Sequence, residues 1–196
     1  MASDVDICNL AMSHFGQDAT ISAIDPPDGS AEAEHCARFF PLARDQVLED
    51  GTWTFATFRT TLATLTNDRG DWEYRYTLPA NCIKPRILLP EGYTDSEIDG
   101  EPFERENDSI YSNAANATLI YTKRITDPTK FSPLFTMSLS WLLASYTAGP
   151  ITKDASGGIQ ARLYKRYEIL LGQAKASNAN TTKARATYVP TAKRVR

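Results

Sequence analysis

The sequence predicts an α+β fold: a bundle of about four helices, a small antiparallel β region inserted between the second and third, and an extended C-terminal arm. Three observations predict it. Apolar residues recur at helical spacing in four segments, about 3–16, 30–50, 132–148 and 157–176. The stretch between, about 53–125, lacks that spacing and is rich in alternating aromatic residues and turn signals. After Ala176 no apolar residue larger than alanine occurs until Tyr188, which divides a body, 1–176, from an arm, 177–196.

Ser3 is placed to cap a first helix whose apolar Ile7, Leu10, Ala11 and Phe15 share a face, and Gly16 sits where a left-handed residue ends it. Ser30 repeats the device before Ala33, Cys36, Phe40, Ala43 and Val47, up to Gly51, with Pro26-Pro27-Asp28-Gly29 as the turn between. The pair reads as a helical hairpin. Trp53-Thr54-Phe55-Ala56 alternates apolar and polar residues and predicts a first strand.

Further strands are expected at Trp72–Tyr76, at Cys82–Leu89 with Pro85 marking an edge or bulge, at Asp108–Ser112 and at Ala117–Tyr121 around the Asn113-Ala114-Ala115-Asn116 turn. Asp99-Gly100, within Ser96–Phe103, has the form of a two-residue hairpin turn. Together they predict one small antiparallel sheet.

Helical spacing returns at Ser132, with Pro133 at the first helical position, and Gly149-Pro150 is expected to stop the helix. Its apolar residues point all round, so it should be enclosed by other helices or by a neighbouring subunit. Leu134, Met137, Leu139, Trp141, Leu143 and Tyr146 are the candidate subunit-interface residues, with the helical hairpin as a second candidate surface. Ile159, Leu163, Tyr167, Leu170 and Ala174 mark the buried stripe of the fourth helix, opposite Arg162, Lys165, Arg166 and Glu168.

A chain of 196 residues with 42% hydrophobic content buries roughly 70% of its unfolded surface as one domain, which needs no metal or disulfide. Cys8, Cys36 and Cys82 are widely spaced, and the expectation is buried thiols in a reducing compartment. No apolar run approaches the ~20 residues that cross a bilayer, and the first residues lack the pattern of a signal peptide. Synthesis and folding in the cytoplasm, without membrane contact, are therefore expected.

The formal net charge is −3, from 21 basic and 24 acidic residues. Residues 177–196 hold five basic residues, Lys183, Arg185, Lys193, Arg194 and Arg196, and no acidic one; the remaining sixteen against twenty-four leave the body at −8. An acidic body with a basic end suits a chain that grips a partner at that end. Ordering such a polar segment costs roughly 1–2 kcal/mol per residue of backbone entropy, so the arm should be disordered until Tyr188, Val189 and Pro190 meet a groove on the partner.

Catalytic patterns are sparse. Gly157-Gly158 lacks the spacing of a phosphate-binding loop. His14 and His35 are the only histidines, and neither is spaced to face a cysteine: His35 and Cys36 are neighbours, and Cys8 and His14 are more than one turn apart. No metal and no cofactor is expected. Glu97, Asp99, Glu101, Glu104, Glu106 and Asp108 form an acidic stretch that could pair carboxylates for glycoside cleavage, or simply be a solvated hairpin. Five arm charges with one tyrosine are thin for nucleic-acid binding, and docking onto an acidic protein surface fits better.

The run ICNLAMSHFGQDATISAIDPPDGSAEAEHCARFFPLARDQVLEDGTWTFAT resembles the amino-terminal signature of the head-to-tail adaptor proteins of short-tailed bacteriophages, the tail tubular protein A family. Leu78-Pro79-Ala80-Asn81-Cys82 before a strand, and Tyr121-Thr122-Lys123-Arg124-Ile125-Thr126-Asp127-Pro128 before a helix, fit as well. The resemblance implies a non-enzymatic virion protein at the head-to-tail junction, forming a dodecameric ring between the portal and the tail nozzle. It further implies that DNA passes through the central channel without specific binding, that the arm is the portal-docking element, and that tail fibres or spikes are a candidate partner class. The competing reading is a tail-associated cell-wall hydrolase using the acidic stretch 97–108.

Overall fold

A computed structural model describes residues 2–18, 20–93, 100–154 and 156–180. The chain is α+β, with four α-helices and two antiparallel sheets. The helices are α1 (Asp4–Ser13), α2 (Ala31–Asp50), α3 (Pro133–Thr152) and α4 (Gly158–Ala179). The strands are β1 (Thr57–Thr61), β2 (Thr64–Leu65), β3 (Tyr74–Thr77), β4 (Cys82–Leu89), β5 (Phe103–Glu106), β6 (Ser109–Ser112) and β7 (Thr118–Lys123).

Local chemistry starts the helices where expected. Ser3 and Asp6 form a reciprocal capping box at α1, and Ser30 Oγ accepts from the Ala33 amide and Ser132 Oγ from the Phe135 amide at α2 and α3. Each such cap is worth about 1 kcal/mol. Gly16 (φ +79°) takes the left-handed conformation expected of it, and Gly29 (φ +93°), in the expected turn, also has the positive φ that glycine allows. The Asp28 carboxylate between them accepts from Ser22 and Ser30, and these bonds hold it well below the usual carboxylate range.

The helices do not support the expected bundle. α3 is a hub, with α1, α2 and α4 each packed on it, and α3 and α4 form the closest pair. The core between them includes Met12, Cys36, Val47, Trp53, Phe135, Leu139, Leu143 and Tyr167. Trp53 is 1% exposed: its Nε1 donates to the Val47 carbonyl at 2.8 Å and its ring meets Phe135 edge-on, 5.0 Å between centroids. Gly51 belongs to this arrangement, because a Cβ there would lie 2.6 Å from Trp53 Cε2.

Burying Trp53 also overturns the first expected strand. Residues Thr54–Ala56 form a 3₁₀ turn, closed by the Ala56 amide on the Trp53 carbonyl, and β1 begins only at Thr57. Trp53 and Ala56, three apart, both face the core, which is the 3₁₀ period rather than the strand period. The expected stop at Gly149-Pro150 is likewise overturned. α3 runs on to Thr152 and ends at Lys153 (φ +54°). Pro150, inside the last turn, forgoes the amide bond to the carbonyl four residues back, yet it stops α3 only two residues later, and Gly149 lets the Gln160 amide of α4 pack against the backbone. Asp154 then turns the chain and accepts from the Ile159 amide, capping α4.

The β region is two sheets instead of one. One has the order β1-β7-β4 and the other β2-β3-β6-β5. They share a second core containing Leu88, Leu119 and Tyr121 from the first and Tyr76 and Ile110 from the second. β4 is an edge strand with register shifts on both sides of Lys84-Pro85, as Pro85 required. β6 and β7, close in sequence across Asn113–Asn116, belong to different sheets. The hairpin turn of β5 and β6 is at Asn107 (φ +50°) and Asp108; Ser96, Glu97 and Asp99 of the hairpin expected at Asp99-Gly100 lie outside the described residues.

Candidate functional site

α3 was the expected neighbour-binding element, and its candidate residues divide in two. Leu139 and Leu143 are 0% exposed. They are spent on the chain's own core, so neither has surface for a neighbouring subunit. Leu134, Met137, Trp141 and Tyr146 are half-buried and face different ways. Met137 lines a shallow cavity with Ala2 and Phe131, Trp141 lies between α1 and α4, and the Tyr146 hydroxyl donates to Gln46 on α2. The all-round apolar character of α3 is satisfied by its three helical partners within one chain.

Chemically distinct surface lies on the helices around α3. At the seam of α1 and α4, His14 stacks on Trp141 (3.8 Å between centroids, 11° between planes), and its Nε2 is 2.9 Å from Ser140 Oγ. Arg166 places its guanidinium 5.8 Å from the centre of the Trp141 ring. Arg162, Lys165 and Ile169 complete the rim of a 320 Å³ hollow over this stack. The expected outer face of α4 is in place: Arg162, Lys165, Arg166 and Glu168 are exposed, opposite buried Leu163, Tyr167, Leu170 and Ala174.

Burial pushes the His14 imidazole down to about 4. The ordinary value near 6.5 applies in the unfolded chain, so below it the unfolded state binds a proton that the folded state refuses until about pH 4. Stability should therefore fall as pH drops from about 6.5 to 4. His14→Gln should flatten that part of a curve of melting temperature against pH; an unchanged slope would place its origin elsewhere.

The thiols offer no nucleophile. Cys8 and Cys36 are buried, and a hydrogen bond to Cys36, then burial, push the Cys8 thiol far up; burial pushes Cys82 up to about 11. His14 engages Ser140 and Trp141, and His35 stacks near Phe39, so neither cysteine–histidine pair is assembled.

The acidic stretch is organised by an arginine that the sequence reading passed over. Arg69 reaches Asp71, Glu104 (3.1 Å) and Glu106 (3.2 Å), with its guanidinium 4.8 Å from the centre of the Tyr111 ring. Trp72 Nε1 donates to Glu104 at 3.2 Å. The Arg69 and Trp72 hydrogen bonds hold the Glu104 carboxyl below its ordinary range, opposite to what a general acid needs. Glu101 and Asp108 are exposed, and Glu97 and Asp99 lie outside the described residues.

α4 extends past the expected end of the body, to Ala179. Asn178 explains the extension: its Nδ2 donates to the Thr52 carbonyl at 2.6 Å, and its Oδ1 accepts from the Thr54 amide and hydroxyl at 3.1 Å. The end of α4 is thereby tied to the 3₁₀ turn, beside an 820 Å³ groove whose lining includes Thr57, Arg86, Ile87, Ile120 and Lys175. The arm residues Lys183, Arg185, Tyr188, Val189, Lys193, Arg194 and Arg196 lie outside the described residues. Among those described, no group of acidic, histidine and cysteine side chains is arranged to hold a metal ion, and no helix is long and apolar enough to cross a membrane.

Compared with models of known protein families and with curated proteins, this chain matches none.

Proposed function

We propose that this chain is a structural subunit of a short-tailed phage virion: a head-to-tail adaptor that assembles into a dodecameric ring between the portal and the tail nozzle, through which DNA passes. The observation that carries the reading is the chain's order of parts. Two serine-capped helices lead through a β region to a helical pair, and a segment of five cations and no carboxylate follows in the sequence.

Two physical features support it. A closed ring requires each copy to present two different surfaces, and α2 and α4 differ in charge and in exposed apolar residues. The −8 of the body would repel a phosphate backbone and let DNA slide past without adhering. In this reading the basic segment docks on an acidic surface of the portal, and a ring of identical copies turns modest affinity per arm into lasting attachment.

The purified chain, added to DNA-filled heads that lack it, should bind them and make them competent to take up the nozzle protein. Failure to bind filled heads would contradict the reading. The hydrolase alternative is weakened by the pairing of Glu104 and Glu106 with Arg69. The unsubstituted protein should release cell wall no faster than a buffer blank, and replacing Glu101, Glu104, Glu106 and Asp108 by their amides should leave that level unchanged. Release by the unsubstituted chain that the amides abolish would favour the hydrolase.

A further inference from the structure

We infer that the outer face of α2 on one copy docks antiparallel against the outer flank of α4 on a second copy, Leu42 opposite Ile169 and Glu49 opposite Arg162. This deepens the ring reading, and rests on it, by naming the two surfaces that meet.

The burial of α3 leaves α2 and α4 as the long helices with open faces. Opposite its buried stripe, α2 presents Arg38, Leu42, Asp45 and Glu49. Leu42 is 61% exposed, the most exposed of the large hydrophobic side chains described. α4 presents Arg162, Lys165, Arg166 and Ile169 on one flank, and Ile169 is 48% exposed. Over their lengths α2 has five carboxylates and two guanidinium groups, a net −3, while α4 has four cations and one carboxylate, a net +3. On the named faces themselves α2 carries Asp45 and Glu49 against Arg38, a net −1 with Arg105 and Arg124 bordering the hollow beside Leu42, and α4 carries Arg162, Lys165 and Arg166, a net +3; the faces are opposite in sign, and each has one large aliphatic side chain in water.

Spacing fixes the direction. Glu49 follows Leu42 by seven residues and Arg162 precedes Ile169 by seven, a rise of about 10.5 Å in each helix. An antiparallel alignment that sets Leu42 on Ile169 therefore sets Glu49 on Arg162 and brings Asp45 level with Lys165 and Arg166. Arg38 then meets the neutral Gln173. The parallel alignment places Arg38 beside Lys165 and Glu49 beside Ala176, exchanging a charge pair for a like-charge clash. Asp45 already pairs with Arg44 and Arg124 in its own chain, whereas exposed Glu49 acts on Arg86 only through longer-range attraction, so Glu49 is the principal charge donated across the contact. The hollow over Trp141, beside Ile169, gives the leucine a wall to pack on. Such a contact is heterologous, α2 to α4, and leaves the α4 face of one copy and the α2 face of the other free for the next copies, as a closed ring requires.

A photo-reactive benzoylphenylalanine at position 42 of the full chain, irradiated at high protein concentration and again on filled heads, tests this directly. The expected product is a ladder of multimers whose cross-links map to residues 162–169 of a second copy. A ladder cross-linked elsewhere would overturn the inference while leaving the ring reading standing. A chain that remains a single copy even on the heads would overturn both. As a second readout, Glu49→Arg and Arg162→Glu should each weaken self-association about tenfold or more, and the double exchange should recover most of it. Both sites are exposed, and Glu49→Gln, which adds no cation beside Arg86, should weaken association in the same direction with an unchanged circular dichroism spectrum; single variants that associate normally, or a double variant no better than the singles, would also overturn the pairing.

Discussion

Removing residues 181–196 is expected to abolish attachment to filled heads while leaving the body folded. The cut belongs after Asn180, because Asn178 ties the end of α4 to Thr52 and Thr54; a cut after Ala176 would remove those bonds and confuse a docking defect with a folding one. The removed segment holds Lys183, Arg185, Lys193, Arg194 and Arg196 and no carboxylate, so its affinity for an acidic surface should be salt-sensitive. Urea unfolding of the truncated chain should agree with the full chain within about 0.5 kcal/mol, the usual range for surface changes. Binding to heads should fall below detection, since every copy in a ring loses its contact at once. Normal attachment of the truncated form would refute the docking role.

Trp53→Ala should destabilise the body by about 3–5 kcal/mol, the range for emptying a large aromatic site in a packed core. The ring is 1% exposed, meets Phe135 edge-on and lies over Gly51. Its loss would also leave the Val47 carbonyl without the indole donor. Because Trp53 lies between α2, α3 and the entry to the β region, the loss should appear as one cooperative transition at lower urea. Trp53→Phe should retain part of the stability, because it keeps an aromatic ring but not the donor. A Trp53→Ala variant within 1 kcal/mol of the parent would mean that this core is not what joins the helical layer to the sheets.

The helices were legible in the sequence because their ends are set by neighbours three residues away. Ser3, Ser30 and Ser132 each cap the helix that follows, and the spacing of Ala33, Cys36, Phe40, Ala43 and Val47 names the buried face of α2. Trp53 to Ala56 misled because four residues are too few to separate a period of two from a period of three: Trp53 and Phe55 suggest a strand, while Trp53 and Ala56 are the pair that is buried. The division into two sheets was not legible, since β6 and β7 are consecutive and yet do not pair: β6 lies between β5 and the distant β3, and β7 between the distant β1 and β4.

Site residues followed the same rule. The charged side of α4 could be read from periodicity alone. The pairing of Arg69 with Glu104 and Glu106 could not, because it spans more than thirty residues and depends on the fold. Leu42 was overlooked, though its signal was present: an aliphatic residue on the polar side of an otherwise regular amphipathic helix, level with Arg38, Asp45 and Glu49. Leu139 and Leu143 were misjudged as interface because an all-round apolar helix looks the same in sequence whether its partners are intramolecular or not.

Electron microscopy of tailed particles containing this chain tests the central claim most directly. The account predicts twelve copies in a closed collar between portal and nozzle, with α2 of each copy against α4 of the next and the basic terminal segment seated on the portal. A single copy per particle, or a collar in which that segment touches no portal surface, would contradict it.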